Sequence, residues 1–231
     1  MCVLDGIKLH YSEKGEGKPL ILLHGNGGTL EYFTNQIEYF SKNYRVFAVE
    51  TRGHGQSPRG TAPFTMRQFA DDLSSFMDTH AIEKAHILGF SDGGNIALTF
   101  ALRYPERVDK LIVNGANLHT GGVKRRYQIP IEIGYRLAKR CASKSPEAKR
   151  KYELLSLMVD EPNLTFAQMQ SLTVPTLVIV GSNDMIKASH SRKMAAALPN
   201  ATFVTLKGGH CIAKDAPQAF NAAAEEFLGD R

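Results

Sequence analysis

The chain reads as a doubly wound α/β domain: a mostly parallel sheet with helices on both faces and one helical insertion. Three features point there. Short runs of Val, Ile and Leu, such as "PLILLHG", "HILGF" and "LIVNG", recur through 231 residues with little polar alternation, as a sheet covered on both faces requires. Helical patterns stand between these runs, so successive strands are joined by right-handed crossovers. One stretch, residues 117–172, breaks the alternation.

Taken in order, "IKLHYSEKG" is expected to be a strand running into a glycine turn, and "PLILLHG" a buried strand. "LEYFTNQIEYF" has helical spacing and "YRVFAVE" returns to strand. "TMRQFADDLSSFMDTH" opens with Thr65 followed three residues later by Gln68, a capping-box pattern for a helix. "KAHILGF", "GNIALTFALRYP" and "VDKLIVNG" give strand, helix and strand. After the interruption come the strand "VPTLVIVG", a helix near 188–197, the strand "ATFVTL" and a last helix from Pro217 to Leu228. Residues 1–116 and 173–231 are thus expected to form the core. Residues 117–172, with two helical patterns and no strand, are expected to be a cap inserted in it. Within the cap, Tyr127, Ile131, Ile133, Tyr135, Leu154, Leu157 and Met158 are expected to face a pocket or pack on the sheet.

Composition narrows the function classes. Hydrophobic residues at 43 % and charged residues at 22 % suit a folded domain rather than a disordered chain. No apolar run is long enough for a membrane helix, and "MCVLDGIKLHY" lacks the basic start and apolar run of a signal peptide. Cys2, Cys141 and Cys211 are odd in number and have no metal-ligand spacing, which fits reduced thiols in a cytoplasmic protein. The net charge is +5, and between Asn117 and Glu161 stand ten Lys or Arg against five Asp or Glu, while the remainder carries eighteen of each sign. Basic charge confined to an insertion argues against a nucleic-acid binder, whose basic stripe belongs to the main scaffold. No nucleic-acid or membrane partner is expected, and nothing in the sequence fixes an oligomeric state.

In a sheet of this kind ligands bind at the carboxyl ends of the strands, and the chemically capable residues fall there. Gly89-Phe90-Ser91-Asp92-Gly93 follows a strand and precedes a helix. A serine hydroxyl becomes nucleophilic when a base takes its proton, and a sharp strand-to-helix turn with small flanking residues projects it clear of the backbone. His210, after the last strand in "LKGGHC", titrates near neutrality and can take that proton and return it to a leaving group. Asp184, in "VIVGSNDMI", can orient the histidine and stabilise its protonated form. Asp160 and Asp215 are rivals that follow no strand.

The open loop "HGNGG" gives backbone donors for an oxyanion: the N–H of Asn26, or failing that of Gly27, beside the N–H of Asp92. The loop matches neither a P-loop nor a dinucleotide fingerprint, so no cofactor is expected. His24 is expected to order this loop rather than bind a metal, since no second His stands at ligand spacing. Gly25, Gly27 and Asp92 are candidate substrate-binding positions. The Asp92 carboxylate has two readings: a charge selecting amine-bearing substrates, or a carboxylate hydrogen-bonded to backbone or paired with a cationic side chain. Cys211 is read as structural.

Together "HGNGG", "ETRGHGQS", "GFSDGG", "GSND" and "GGH", in that order over nearly the whole chain, resemble the α/β-hydrolase superfamily. Glu50 stands where that family usually has Asp, and Arg52 and His54 of the same loop carry over a structural role. The resemblance implies a cofactor-independent serine hydrolase with Ser91, Asp184 and His210 as triad, acting on a small ester, with an enol-lactone or a carbon–carbon bond as the alternative substrate on the same triad. Thioesterases, aminopeptidases and acyltransferases share the scaffold, and fold alone does not choose among them. A reading from another class is a non-catalytic binding protein of hydrolase-like fold.

Overall fold

A computed structural model describes residues 6–229; Cys2 lies outside them. The elements run β1 (Tyr11–Lys14), β2 (Lys18–Leu23), α1 (Thr34–Phe40), β3 (Tyr44–Val49), α2 (Met66–Thr79), β4 (Ala85–Phe90), α3 (Asp92–Arg103) and β5 (Val108–Asn114). There follow α4 (Arg125–Cys141), α5 (Pro146–Val159), α6 (Phe166–Gln170), β6 (Thr176–Gly181), α7 (Ala188–Ala197), β7 (Ala201–Leu206), α8 (Ile212–Asp215) and α9 (Pro217–Leu228). The seven strands form one sheet in the order β1-β3-β2-β4-β5-β6-β7, with β1 antiparallel to β3 and every other pair parallel.

The uninterrupted apolar strands follow from the two-faced burial. Neighbouring residues of a strand point to opposite faces, and each face is covered. Ile21, Leu23, Phe47, Val49, Ile87, Leu111 and Val113 pack with residues of α2, α3 and α7. Leu20, Leu22, Val46, Ala48, Leu88, Ile112 and Ile179 pack on the other side with α1, α8 and α9.

Some local expectations shift. The first strand is shorter than "IKLHYSEKG", because β3 ends at Val49 opposite Tyr11 and gives earlier residues no ladder partner beyond one Glu50 N–H to His10 carbonyl bond of 2.9 Å. Thr65 caps α2 by accepting from the Gln68 N–H at 3.2 Å, while the Gln68 side chain donates to Asp72 at 3.0 Å. Between β5 and β6 there are three helices rather than two, and the short α6 carries a full capping box between Thr165 and Gln168. Ile133, expected to face inward, is 54 % exposed. With Ile129 and Leu137 it shares the outward face of α4 at four-residue spacing, and the opposite face buries Gln128 and Ala138.

Two buried histidines are held below their ordinary pKa by that burial. His190 on α7 accepts the Leu118 N–H at 3.0 Å, fixing the exit from β5, and burial holds its pKa down at about 4. His54 meets Thr51 Oγ1 and the Arg52 carbonyl through Nδ1, each at 3.0 Å, and burial again holds it at about 4.

These values fix a stability trend. With folded pKa values below the ordinary 6.5, the unfolded chain takes up more protons as pH falls, so stability is present above 6.5 and is lost toward pH 4. Asp92, pushed up to about 6 by burial, and Glu161, raised by burial, oppose this, while His24, lowered by burial, adds to it and leaves the histidines in the majority. A thermal melt is therefore expected to show Tm lower at pH 5 than at pH 7 by about 5 °C or more. His190→Asn, whose amide oxygen can still accept from Leu118, should make the slope shallower.

Candidate active site

Ser91 sits between β4 and α3 with φ +54° and ψ −118°, in the left-handed region that a non-glycine residue seldom adopts. The turn is held by the Ser91 N–H to the Asn114 carbonyl at 2.8 Å and the Asn95 N–H to the Ser91 carbonyl at 3.0 Å. Its glycines are required by space. A Cβ on Gly89 would strike the Gly93 carbonyl, and one on Gly93 would strike the carbonyls of Leu23 and His24. The chain therefore crosses itself closely enough to lift the Ser91 hydroxyl above the strand ends.

His210, beyond β7, reaches that hydroxyl: its Nε2 lies 3.1 Å from Ser91 Oγ. Its Nδ1 lies 2.7 Å from Asp184 Oδ1, which also accepts the Ile186 N–H at 2.9 Å. A carboxylate can only accept, so His210 Nδ1 carries the proton and leaves Nε2 free to accept from serine. Asp184 is 3 % exposed, so the charge facing the imidazole is shielded from water. Gly115, at the end of β5, lies beneath the pair with φ +63°; a Cβ there would stand 2.8 Å from His210 Cε1 and 3.3 Å from Asp184 Oδ2. The Phe90 ring lies 5.0 Å from that of His210 and stacks on Tyr32 at 4.1 Å.

The loop after β2 bends against the same serine. The Gly28 N–H bonds the Gly25 carbonyl at 3.0 Å, and Gly27 has φ +67°, the geometry of a type II turn with Asn26 and Gly27 at its centre. A Cβ on Gly25 would stand 3.2 Å from Ser91 Cβ, whereas Gly27 has open space around it and is needed for its φ. His24 fastens the loop as expected, with Nδ1 on the Gly25 carbonyl at 2.7 Å and Nε2 accepting the Thr51 N–H at 3.2 Å.

The Asp92 side chain is buried, and both of its oxygens are occupied. Oδ2 accepts from Asn26 Nδ2 at 2.8 Å and Oδ1 from Asn95 Nδ2 at 3.2 Å. Its partners are thus two side-chain amides, rather than the backbone or cationic side chain expected of a structural carboxylate here. The same Asn26 amide donates to the Leu154 carbonyl of α5 at 2.8 Å. Neither rival acid bears on His210 in the hydrogen bonds it makes: Asp160 accepts from Tyr135 Oη at 2.8 Å, and Asp215 lies at the end of α8.

The loop after β3 supports this floor. Arg52 is wholly buried and donates to both Asp72 oxygens, at 2.7 and 2.6 Å. Glu50 takes the place of the shorter acid by reaching the Gln56 N–H at 2.6 Å, His10 Nδ1 at 3.1 Å and the Leu30 N–H at 3.4 Å. Arg59 of the same loop pairs with Glu153 of α5 through two bonds of 3.0 and 2.8 Å.

Gly115, Asn95 and the Asn26 side chain were not singled out from sequence. Gly115 had a usable signal: it closes a strand, as Gly25 and Gly181 do. Asn95 and the Asn26 side chain had none, since their partners are distant or inside a helix. Among the described residues, no group of three or more His, Cys, Asp or Glu is arranged to hold a metal ion, and no helix is long and apolar enough to cross a membrane.

Known proteins are similar to this chain over nearly its whole length. The chain is 30 % identical to "Putative carbamate hydrolase RutD" of Caulobacter sp., over 97 % of this chain and 96 % of that protein. It is also 30 % identical to 2-hydroxy-6-oxononadienedioate/2-hydroxy-6-oxononatrienedioate hydrolase of Paraburkholderia phymatum, over 98 % and 94 %. Among solved structures it resembles a hydrolase from Pseudomonas aeruginosa PA01, with a TM-score of 0.83 at 26 % identity over 100 % of this chain and 97 % of that one. The family model described as alpha/beta hydrolase fold matches residues 18–132. On this evidence the chain belongs to the alpha/beta hydrolase family.

Proposed function

We propose that the protein is a serine hydrolase that cleaves a small carboxylic ester or lactone through an acyl-enzyme. The observation that carries this reading is the unbroken chain from Ser91 Oγ to His210 to Asp184, with bonds of 3.1 and 2.7 Å on a strained strand-to-helix turn. His210 Nε2 takes the Ser91 proton as the oxygen attacks the carbonyl carbon, and Asp184 stabilises the imidazolium that forms. The N–H groups of Asn26 and Asp92 hold the oxyanion. His210 then protonates the leaving oxygen, and water, deprotonated by the same nitrogen, releases the acid. Gly25 and Gly27 leave the approach to Ser91 open to substrate. The helices α4 to α6, tied to the loops after β2 and β3 through Leu154 and Glu153, serve as the cap of the pocket.

A second reading rests on the relatives. The names of the two 30 %-identical proteins point to carbamates and to a dienedioate hydrolase, and a 27 %-identical protein of Acinetobacter baylyi, matched over 96 % of this chain and 93 % of its own, is a 3-oxoadipate enol-lactonase. The same serine chemistry serves an ester, a lactone or a carbamate, so a panel of these substrates, with a carbon–carbon hydrolase substrate added, separates them by kcat/KM.

Intact-mass spectrometry after exposure to a fluorophosphonate, with peptide mapping, is expected to give one adduct on Ser91 that is lost in His210→Ala. Folded wild-type protein without that adduct would refute the serine mechanism. Ser91→Ala should keep the fold while reducing turnover of the best ester by about a million-fold, to background. Gly115→Ala should lower kcat by about 100-fold with KM little changed, because it displaces the imidazole without touching the pocket. It should also cost about 1 kcal/mol of stability, for a side chain at positive φ. A kcat within twofold of wild type would show that Gly115 does not set the His210 position.

A further inference from the structure

We propose that the Asp92 carboxylate is a positioning group for the oxyanion loop, acting through the side chain of Asn26. The inference rests on the serine-hydrolase reading and deepens it, since that reading uses only the backbone amides of these two residues.

The turn after β2 leaves one group unbonded. Its hydrogen bond runs from the Gly28 N–H to the Gly25 carbonyl and does not involve the Asn26 N–H. Glycines stand on both sides of Asn26, and Gly27 meets nothing within 4 Å of where a Cβ would be. The peptide that carries the Asn26 N–H is held at its carbonyl end, where Gly25 O accepts from the Gly28 N–H at 3.0 Å and lies 2.7 Å from His24 Nδ1, and an oxyanion donor must point at one spot. A further restraint, on the Asn26 end, comes from the side chain. Asn26 Nδ2 has two hydrogens and spends both, one on Asp92 Oδ2 and one on the Leu154 carbonyl, each at 2.8 Å.

An acceptor-only partner matters here. An ionised carboxylate offers no hydrogen, so the amide must present its NH2 side to Asp92, and one flip of Asn26 is selected. Asp92 is itself immobile. It occupies the first turn of α3 next to Ser91, and its other oxygen is held by Asn95 Nδ2 at 3.2 Å. Asn95 Oδ1 in turn accepts the Asn117 N–H at 3.0 Å, beyond the end of β5. The two candidate oxyanion donors, contributed by residues 66 positions apart, are therefore locked to one another by a side-chain bond. The bond to Leu154 adds α5 to the lock, so the loop is referenced both to the nucleophile turn and to the helix above it.

The decisive variant is Asn26→Ala, which keeps the backbone N–H and removes only the tether. Initial rates with a chromogenic short ester are expected to show kcat about tenfold lower with KM within twofold. That is less than the 10²- to 10³-fold cost of deleting a donor outright. Asp92→Ala should lose a similar factor. Asp92→Asn, which retains one acceptor oxygen, should recover part of it. In the Asn26→Ala background, Asp92→Ala should add less than twofold, because its route of action is already gone. Two results would overturn the proposal: wild-type kcat in Asn26→Ala, or losses that multiply to about a hundredfold in the double variant. If Asp92→Ala fails to fold, Asn26→Ala alone decides. The fluorophosphonate adduct separates the two levels, since its absence from wild type removes the serine mechanism, whereas its presence with unchanged Asn26→Ala kinetics removes only the tether.

Discussion

The arrangement at the strand ends hangs on how closely the chain passes itself at Ser91. Helix α3 begins against the carbonyl ends of β2 and β4, at a separation that leaves no room for a Cβ at Gly89 or Gly93. That approach forces Ser91 to φ +54° and spends its N–H on Asn114 and its carbonyl on Asn95. A larger residue at either glycine would have to push α3 outward along its whole length, because a helix and a central strand do not bend locally. The hydroxyl would then leave the reach of His210, which the end of β7 and Gly115 hold in place from the opposite side.

Around that crossing the loops are held by polar bonds more than by apolar burial. Arg52 and Asp72 form a buried bidentate pair, Glu50 collects three donors from different parts of the chain, and His24 and His190 each accept one backbone N–H. Removing ions from water offsets much of what such pairs gain, so their net contribution to stability is small. What they contribute is position. An apolar side chain can slide on its neighbours, whereas a fork-shaped guanidinium on a carboxylate has one arrangement. The two histidines extend the principle by needing a neutral ring, which makes the geometry of the loops depend on proton activity.

The fold was legible because its signals are local. Strands buried on both faces have apolar residues at every position, and that is visible in a window of six, as in "TLVIVG". That Ser91, Asp184 and His210 could meet was legible because each follows a predicted strand. The first strand was over-extended because its length is decided by where β3 ends, at Val49, a partner remote along the chain from Tyr11. The outward face of α4 was misjudged at Ile133 because hydrophobic periodicity marks a face without saying what covers it. The tether from Asp92 to Asn26 was not legible, and of the seat of His210 only the glycine that closes β5 was, not the ring it faces. Both join strand ends that are neighbours only once the sheet has formed, and no spacing along the chain encodes them.

The position of Gly115 has a consequence for anyone who would change what the pocket accepts. The seat of the imidazole admits hydrogen and nothing larger, so every single-base change of a glycine codon that alters the residue puts atoms into His210. Helix α5, by contrast, meets the sheet loops through the side chain of Glu153, the carbonyl of Leu154 and the buried Leu157. A combinatorial library that randomised the floor would consist largely of dead clones, while one directed at the helical segment would explore new shapes over an unaltered set of reacting atoms. The molecule is divided into a part that inheritance must copy and a part that it is free to revise.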